Sequence, residues 1–353
     1  MNTLKKLAAM LLCVCLLFTF AACHPKDEVA LTIDDVEITS ALYMYALITA
    51  DGEARAKVDE NREDAEAEVD YYKEKIDDKK FEVWVKDRAI ELCKDIAANE
   101  IKFKETKLSL TEEQETEIAQ YVDYYWAYYG YQALYETNGV SKETFSRAFK
   151  STYYLNEYFL SIYGENGTNP VDKDEVTKTM DENFVAANVL SVSLTELKDE
   201  EKKDAEKKFN DYLARLNKGE AFGDIYNEYY EIEETEDDNT EETDAKAPKD
   251  KFASILGSDK TEYQDDNFKT VKEMKMGEIK LVKTDRAITI LIRVDMMADE
   301  YWTENLKTPT LNIIKGEEFE KTMTDFTKKL SVKKNSYAVN RFKVKKIVYP
   351  TAG

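Results

Sequence analysis

Apolar positions recur at two spacings and divide the chain into a helical front and a mixed rear. From Phe81 to about residue 105 they fall at threes and fours: Phe81, Trp84, Val85, Ala89, Leu92 and Ile96, with Arg88 among them. That spacing predicts a strong amphipathic helix. Ahead of it, Leu31 to Thr39 alternates around Asp34-Asp35 and predicts a small hairpin or strand–turn. Thr39 or Ser40 then caps a helix from Ala41 to about Ala50. Residues 53–80 are highly charged with widely spaced apolar positions, which predicts a solvated helix. Thr111-Glu-Glu-Gln114 is a capping box that opens the next helix. Ser141-Lys-Glu-Thr144 opens another, continued by Phe145, Phe149, Tyr153, Leu155, Phe159 and Ile162 and broken by Gly164 to Pro170. Asp172 to Phe184 predicts a further short helix.

The pattern changes at Ala186. Asn188, Leu190, Val192 and Leu194 alternate with Val189, Ser191 and Ser193, which predicts a strand. Glu200 to Asn217 is helical. Leu281 to Val294 is β-rich, with Ile288 to Val294 as a central strand. Glu317 to Leu330 predicts a helix with Phe319, Met323 and Phe326 on one face, and Phe342 to Tyr349 a strand or extended tail. The fold class is therefore α+β and mainly helical. Only 5 prolines and 11 glycines interrupt a chain that is 43% hydrophobic, which fits that class.

One helix stands out. Between positions 121 and 135 it carries seven tyrosines and a tryptophan: Tyr121, Tyr124, Tyr125, Trp126, Tyr128, Tyr129, Tyr131 and Tyr135. On a helical wheel the tyrosines cover roughly 160°, wider than the ~100° stripe a core contact needs. Most belong to a core with hydroxyls at its rim. In the alternative reading part of the arc, with Tyr121, Tyr125, Trp126 and Tyr129 as candidates, lines a surface that accepts unfolded chains, because tyrosine offers large amphipathic contact area at low entropic cost.

Charge and cysteine usage narrow the setting. The chain of 353 residues has net charge -22, a surface that repels nucleic acid and anionic headgroups. Residues 1–22 read as a lipoprotein signal peptide: Lys5 and Lys6, an apolar stretch Leu7 to Phe20, then Ala21-Ala22 before Cys23. Small residues before a cysteine fit the bacterial lipobox, in which Cys23 is acylated and the peptide cut before it. Phe20 stands where leucine is usual. Acyl chains anchor by roughly 0.8 kcal/mol per buried CH₂, so the expected location is the outer face of a cell membrane. Residues 23–30 form a lipidated tether. Cys93, the only cysteine of the body, lies in the amphipathic helix and reads as a buried thiol. Residues 231–251 form an acidic, low-complexity insertion. No metal motif, Walker sequence or G-x-G-x-x-G is present, and the single histidine, His24, excludes a nucleophile–His–Asp site. No metal and no cofactor is expected.

This order of parts resembles the SurA/PrsA class of extracytoplasmic foldases. Asp34-Asp-Val-Glu-Ile-Thr39 resembles the "N-G-x-x-I-T" opening of SurA-like N-terminal domains. Asn138-Gly-Val-Ser-Lys-Glu-Thr-Phe145 resembles the "G-hydrophobic-S" start of that domain's long last helix. Residues 186–294 resemble a parvulin domain. Ala187-Asn-Val-Leu190 sits at "A-x-H-I-L", Leu216-Asn-Lys-Gly-Glu-Ala-Phe-Gly-Asp-Ile-Tyr226 at "L-x-x-G-x-x-F-x-x-L-A", and Met276-Gly-Glu-Ile279 before the closing strands. The resemblance implies a SurA-like helical chaperone domain over 31–180, with 300–349 a candidate for returning to it, and a parvulin-like βα domain over 184–298.

The family's two central histidines fall on Asn188 and Ile290, and its Gly-Gly-Asp-Leu-Gly turn is missing. Phe268 keeps the position of the proline-pocket phenylalanine and Met274 that of a pocket aliphatic. The implied activity is that of a membrane-tethered chaperone or foldase, with prolyl isomerisation weak or lost. The alternatives are an active isomerase, read by a proline-tetrapeptide assay, and a non-catalytic binding or assembly lipoprotein, read by capture of one defined partner. Implied partners are unfolded or newly exported polypeptides, the membrane through the anchor, no nucleic acid, and a second copy as a homodimer.

Overall fold

The computed structural model describes residues 28–60, 62, 69–128, 130–232 and 247–350. The predicted signal peptide, Cys23 and most of the 23–30 tether, Tyr129 and most of the acidic insertion lie outside them. The chain is α+β and mainly helical, and it divides into two units. One runs to Ser161 and resumes at Glu320; the other is Ile162–Phe319. Among the described residues no helix is long and apolar enough to cross a membrane.

In the first unit, β1 (Val29–Ile33) and β2 (Val36–Thr39) form an antiparallel hairpin whose turn sets Asp34 at φ 48. Thr39 Oγ1 accepts from the Leu42 amide and caps α1 (Ser40–Glu60). This helix runs well past the predicted Ala50, because Ala50, Asp51, Ala54 and Val58 continue its buried stripe. The expected solvated helix over 53–80 is not one element. Beyond α1 come a 3-10 turn at Tyr71–Lys73 and a two-rung ladder of β3 (Lys75–Ile76) and β4 (Lys79–Lys80). Asp77 and Asp78, at φ 50 and 60, make its turn, and Trp84 Nε1 donates to Asp77 Oδ2 at 3.0 Å. Two aspartates in the left-handed region favour a turn over a helix.

The predicted amphipathic helix is α2 (Phe81–Thr106), and it buries Phe81, Trp84, Val85, Ala89, Cys93 and Ile96. Arg88 grips Glu53 of α1 through Nε at 2.6 Å and Nη2 at 3.2 Å. The capping box at Thr111 and Gln114 forms in both directions, at 2.9 and 3.2 Å. It opens α3 (Glu112–Tyr128), followed by α4 (Tyr131–Thr137) and α5 (Lys142–Tyr163).

The second unit holds a four-stranded sheet, antiparallel throughout. Its strands are β5 (Phe184–Ser193), β6 (Ala253–Gly257), β7 (Ile279–Lys283) and β8 (Ala287–Val294), in the order β6-β5-β8-β7. On one face Leu190, Ile288 and Ile290 pack against α7 (Asp199–Leu216) and α8 (Phe222–Tyr230) through Phe209, Tyr212, Phe222 and Ile225. On the other, Val185, Ala187, Leu256 and Leu291 pack against α9 (Phe268–Glu273) and Met274. Strands buried on both faces read as near-continuous apolar runs, as Ile288 to Val294 does apart from Thr289 and Arg293. Gly219, at φ 95, turns the chain between α7 and α8, a conformation that needs glycine. Arg215 closes that turn with a bidentate contact to Glu220. The unit also holds α6 (Lys173–Asn183) ahead of β5, α10 (Glu300–Asn305) and the start of α11 (Lys307–Lys329).

The predicted strand or tail over 342–349 holds a 3-10 turn at Val344–Lys346. A strand missed in the sequence, β9 (Val332–Lys334), pairs antiparallel with β1, so the last part of the chain returns to the first sheet. α12 (Ser336–Arg341) follows it.

Candidate functional site

The tyrosine-rich segment is two helices, not one. Gly130 at φ 67 separates α3 from α4, and Tyr131 and Tyr135 fold back against the core. Ile118, Val122 and Trp126, four residues apart, face inward along α3. Trp126 stacks on Tyr135 with centroids 6.2 Å apart and planes at 8°, and meets Phe145 at 5.6 Å. It is only 6% exposed and so belongs to the core, not to the accepting surface the sequence suggested.

The stripe beside it is Tyr121, Tyr124, Tyr125 and Tyr128, at spacings of three and four. Tyr121, Tyr124 and Tyr128 are 44%, 47% and 79% exposed. Tyr125 is half-buried and bridges rim to core, 6.5 Å from Tyr121 and 5.8 Å from Phe149. Tyr124 and Tyr128 stack on each other at 5.2 Å. Phe149 and Tyr153 extend the aromatic surface along α5, their rings 5.9 Å apart. Burial first, then the charge of Glu117, pushes the Tyr153 phenol up to about 12.

Polar ties join the two helices of this face. Lys150 pairs with Glu115, Lys142 with Asp123, and Gln114 Nε2 donates to Glu157 at 2.7 Å, each joining α3 to α5. Of the four candidate aromatics, then, Tyr121 and Tyr125 stand on this surface, Trp126 lies beneath it and Tyr129 is outside the described residues. Tyr124 and Tyr128 were missed as candidates. Splitting α3 into its two stripes, four residues per step, would have found them.

The sheet unit treats its four candidate pocket positions differently. Leu190 pairs with Ile290, and Asn188 with Ile292, so Asn188 and Ile290 share the face covered by α7 and α8. Phe268 and Met274 lie against the other face. The register thus does not bring the four together, because alternate residues of a strand point to opposite sides. Ile290 is fully buried in the core. Asn188 is 6% exposed; its Nδ2 donates to Asp250 Oδ2 at 3.0 Å, and its Oδ1 has no hydrogen-bond partner among the described residues.

The residues that do face Phe268 and Met274 are Val185, Ala187 and Leu291, with Val189 at their edge. Val189 and Leu291 are paired, one position along from Asn188 and Ile290. The polar side chains nearest on that face are Ser191 and Thr289, whose hydroxyls share a hydrogen bond of 2.8 Å, and Arg293, which donates to the Lys272 and Met274 carbonyls at the end of α9. None is a base that titrates near neutral pH. Phe268 also borders a polar hollow of about 510 Å³ with Asn183, Gly257, Ser258 and Asp265. Among the described residues no three His, Cys, Asp or Glu side chains cluster to hold a metal ion. Burial pushes the Cys93 thiol well above its usual range, as an inert thiol requires.

Comparison with solved structures adds one likeness. The chain is similar to foldase protein PrsA. The protein from Streptococcus pneumoniae is 12% identical, with 72% of this chain and 84% of that chain covered at a TM-score of 0.37. That from Lactococcus lactis is 13% identical, covering 88% and 96% at 0.38, and that from Bacillus subtilis 15% identical, covering 90% and 100% at 0.34. No protein-family model matches the chain, and no curated protein matches it in sequence. At such identities the side chains of the site are this chain's own, and its chemistry is read from them.

Proposed function

We propose that the chain is an extracytoplasmic chaperone or foldase, tethered to the membrane by lipid on Cys23, that holds newly exported polypeptides. One observation carries this: Tyr121, Tyr124 and Tyr128 are turned outward, with Tyr125 half-buried beneath them, on a helix whose other stripe is already core. A contiguous exposed aromatic face of this kind marks an interaction surface. Aromatic rings with hydroxyl rims bind apolar segments of an unfolded chain without demanding one sequence. In this reading the first unit is the SurA-like client-holding domain, and residues 184–298 of the second form a parvulin-like domain that contributes binding rather than catalysis.

Prolyl isomerisation faces a barrier of ~18–20 kcal/mol. The Phe268 face offers two weakly polar hydroxyls and an arginine spent on backbone carbonyls, so isomerase activity is weak or lost. The test is aggregation of a chemically unfolded client. Suppression near stoichiometric ratio is expected of the chain from residue 23 onward. An unchanged scattering curve at several-fold excess would sink the reading. In a parallel proline-tetrapeptide assay the rate is expected to match buffer, and a clear acceleration would favour the isomerase instead.

A further inference from the structure

The described chain begins at Glu28, and two separated parts of the C-terminal segment meet there. Asn335 Nδ2 donates to Glu28 Oε1 at 3.4 Å and to the Val29 carbonyl at 3.1 Å. Arg341 Nη1 lies 2.7 Å from Glu28 Oε2. Lys333 and Lys334 of β9 directly precede Asn335, and Lys343 follows Arg341 by two positions. Lysines therefore adjoin both contacts along the chain, Lys333 and Lys334 on opposite sides of the edge strand. All three are exposed, and none has an ion-pair partner among the described residues. Between Phe326 and Pro350 the sequence has seven lysines, an arginine and no acid, in a chain of net charge -22. Tyr337, on α12 between the two arms, is 76% exposed.

Lysines on an edge strand keep it from pairing with other chains. That explains Lys333 and Lys334, but not Lys343 or an exposed tyrosine beside them. A basic cluster with an amphipathic ring is what an anionic bilayer surface recognises.

We propose that this edge of the sheet, with Lys333 and Lys334 on the two sides of β9 and Tyr337 and Lys343 beyond it, docks on the anionic phospholipid headgroups of the membrane that carries the anchor. Its placement rests on the anchor reading for Cys23. Glu28 follows Cys23 by five positions, and a chain spans at most ~3.6 Å per residue, so this point is held within roughly 18 Å of the lipid. The acid-rich remainder of the chain is repelled by the same headgroups. Attraction at one edge and repulsion elsewhere give the first unit one orientation on the bilayer.

The experiment uses the chain from residue 23 onward with Cys23→Ser, which cannot be acylated, so the face is measured without the anchor. It is sedimented with vesicles of phosphatidylcholine alone or mixed with phosphatidylglycerol. Binding is expected only to the anionic vesicles and to weaken as salt rises. A basic residue near such a surface is worth about five-fold in affinity. The triple variant Lys333→Gln, Lys334→Gln, Lys343→Gln should therefore bind on the order of 100-fold more weakly. The control triple Lys202→Gln, Lys203→Gln, Lys207→Gln on α7 should bind like the parent. Equal binding by both triples, no preference for anionic vesicles, or binding to soluble polyphosphate without binding to vesicles would each overturn the proposal. Acylation of Cys23 is read separately by mass: an unmodified Cys23 with intact vesicle binding fails the anchor and leaves this face standing.

Discussion

Replacing Tyr124 and Tyr128 by serine separates client binding from folding. Both rings point outward, at 47% and 79% exposure; Tyr124 meets the Tyr125 ring edge-on, and the two rings stack on each other. Fully burying an aromatic side chain removes roughly 150–250 Å² from water. Tyr128 alone therefore offers about 120–200 Å² to a client, or ~3–5 kcal/mol at about 25 cal/mol per Å² as an upper bound. A mobile client covers part of that area, and ordering a side chain costs about 0.5–1.5 kcal/mol. A net ~1 kcal/mol per ring remains, so the double variant should lose about ten- to thirty-fold in affinity. Its stability should move by less than about 0.5 kcal/mol, as for most surface substitutions.

Fluorescence anisotropy of a labelled unfolded client reads the affinity, and urea unfolding reads the stability. Trp126→Ala is the counter-case: removing a buried indole costs about 3–5 kcal/mol and should lower stability first. Parent-like client affinity in the Tyr124→Ser, Tyr128→Ser variant, with its fold intact, would refute the reasoning.

Other outcomes follow from the same structure. Restoring histidines at Asn188 and Ile290 should destabilise the chain without creating a prolyl isomerase, since neither position faces Phe268 or Met274; acceleration in the tetrapeptide assay would contradict the strand register. Above pH 10 stability should fall. Burial raises the Tyr153 phenol from 10.0 to about 12, and the phenols of Tyr43, Tyr135 and Tyr349 higher still. A group whose folded pKa is raised contributes stability present below its unfolded pKa and lost as pH rises through the folded one. Absorbance at 295 nm should thus show one block of tyrosines ionising late, together with loss of far-UV signal, and a single uncooperative titration at 10 would count against it. Cys93, fully buried on α2, should resist a thiol reagent until denaturant is added; rapid labelling of the native chain would overturn that burial.

Where the sequence succeeds, its signals are local. The capping box at Thr111 and Gln114, the caps at Thr39 and Ser141 and the stripe of α2 each involve residues within four positions of one another, and each forms. Where it falls short, the deciding partner is remote. Tyr121, Tyr124 and Tyr128 are indistinguishable from Tyr135 by composition; the break at Gly130 and the packing of α5 make Tyr135 core and leave the others at the rim. β9 is three residues long and carries two lysines, so only its pairing with β1, some 300 positions away, reveals it.

The amino-acid sequence by itself determined the α+β class, most helix starts, the helix that hides Cys93 and the central strand of the sheet. It did so because helix caps and apolar periodicity act through short-range hydrogen bonds and one-sided burial. The tertiary structure alone decided which tyrosines face water, that Asn188 and Ile290 lie across the sheet from Phe268 and Met274, and that a basic C-terminal segment closes around Glu28. A strand read one residue out of step turns every side chain to the other face. That step is set by β5 meeting β8 about a hundred residues later, a contact no local pattern encodes.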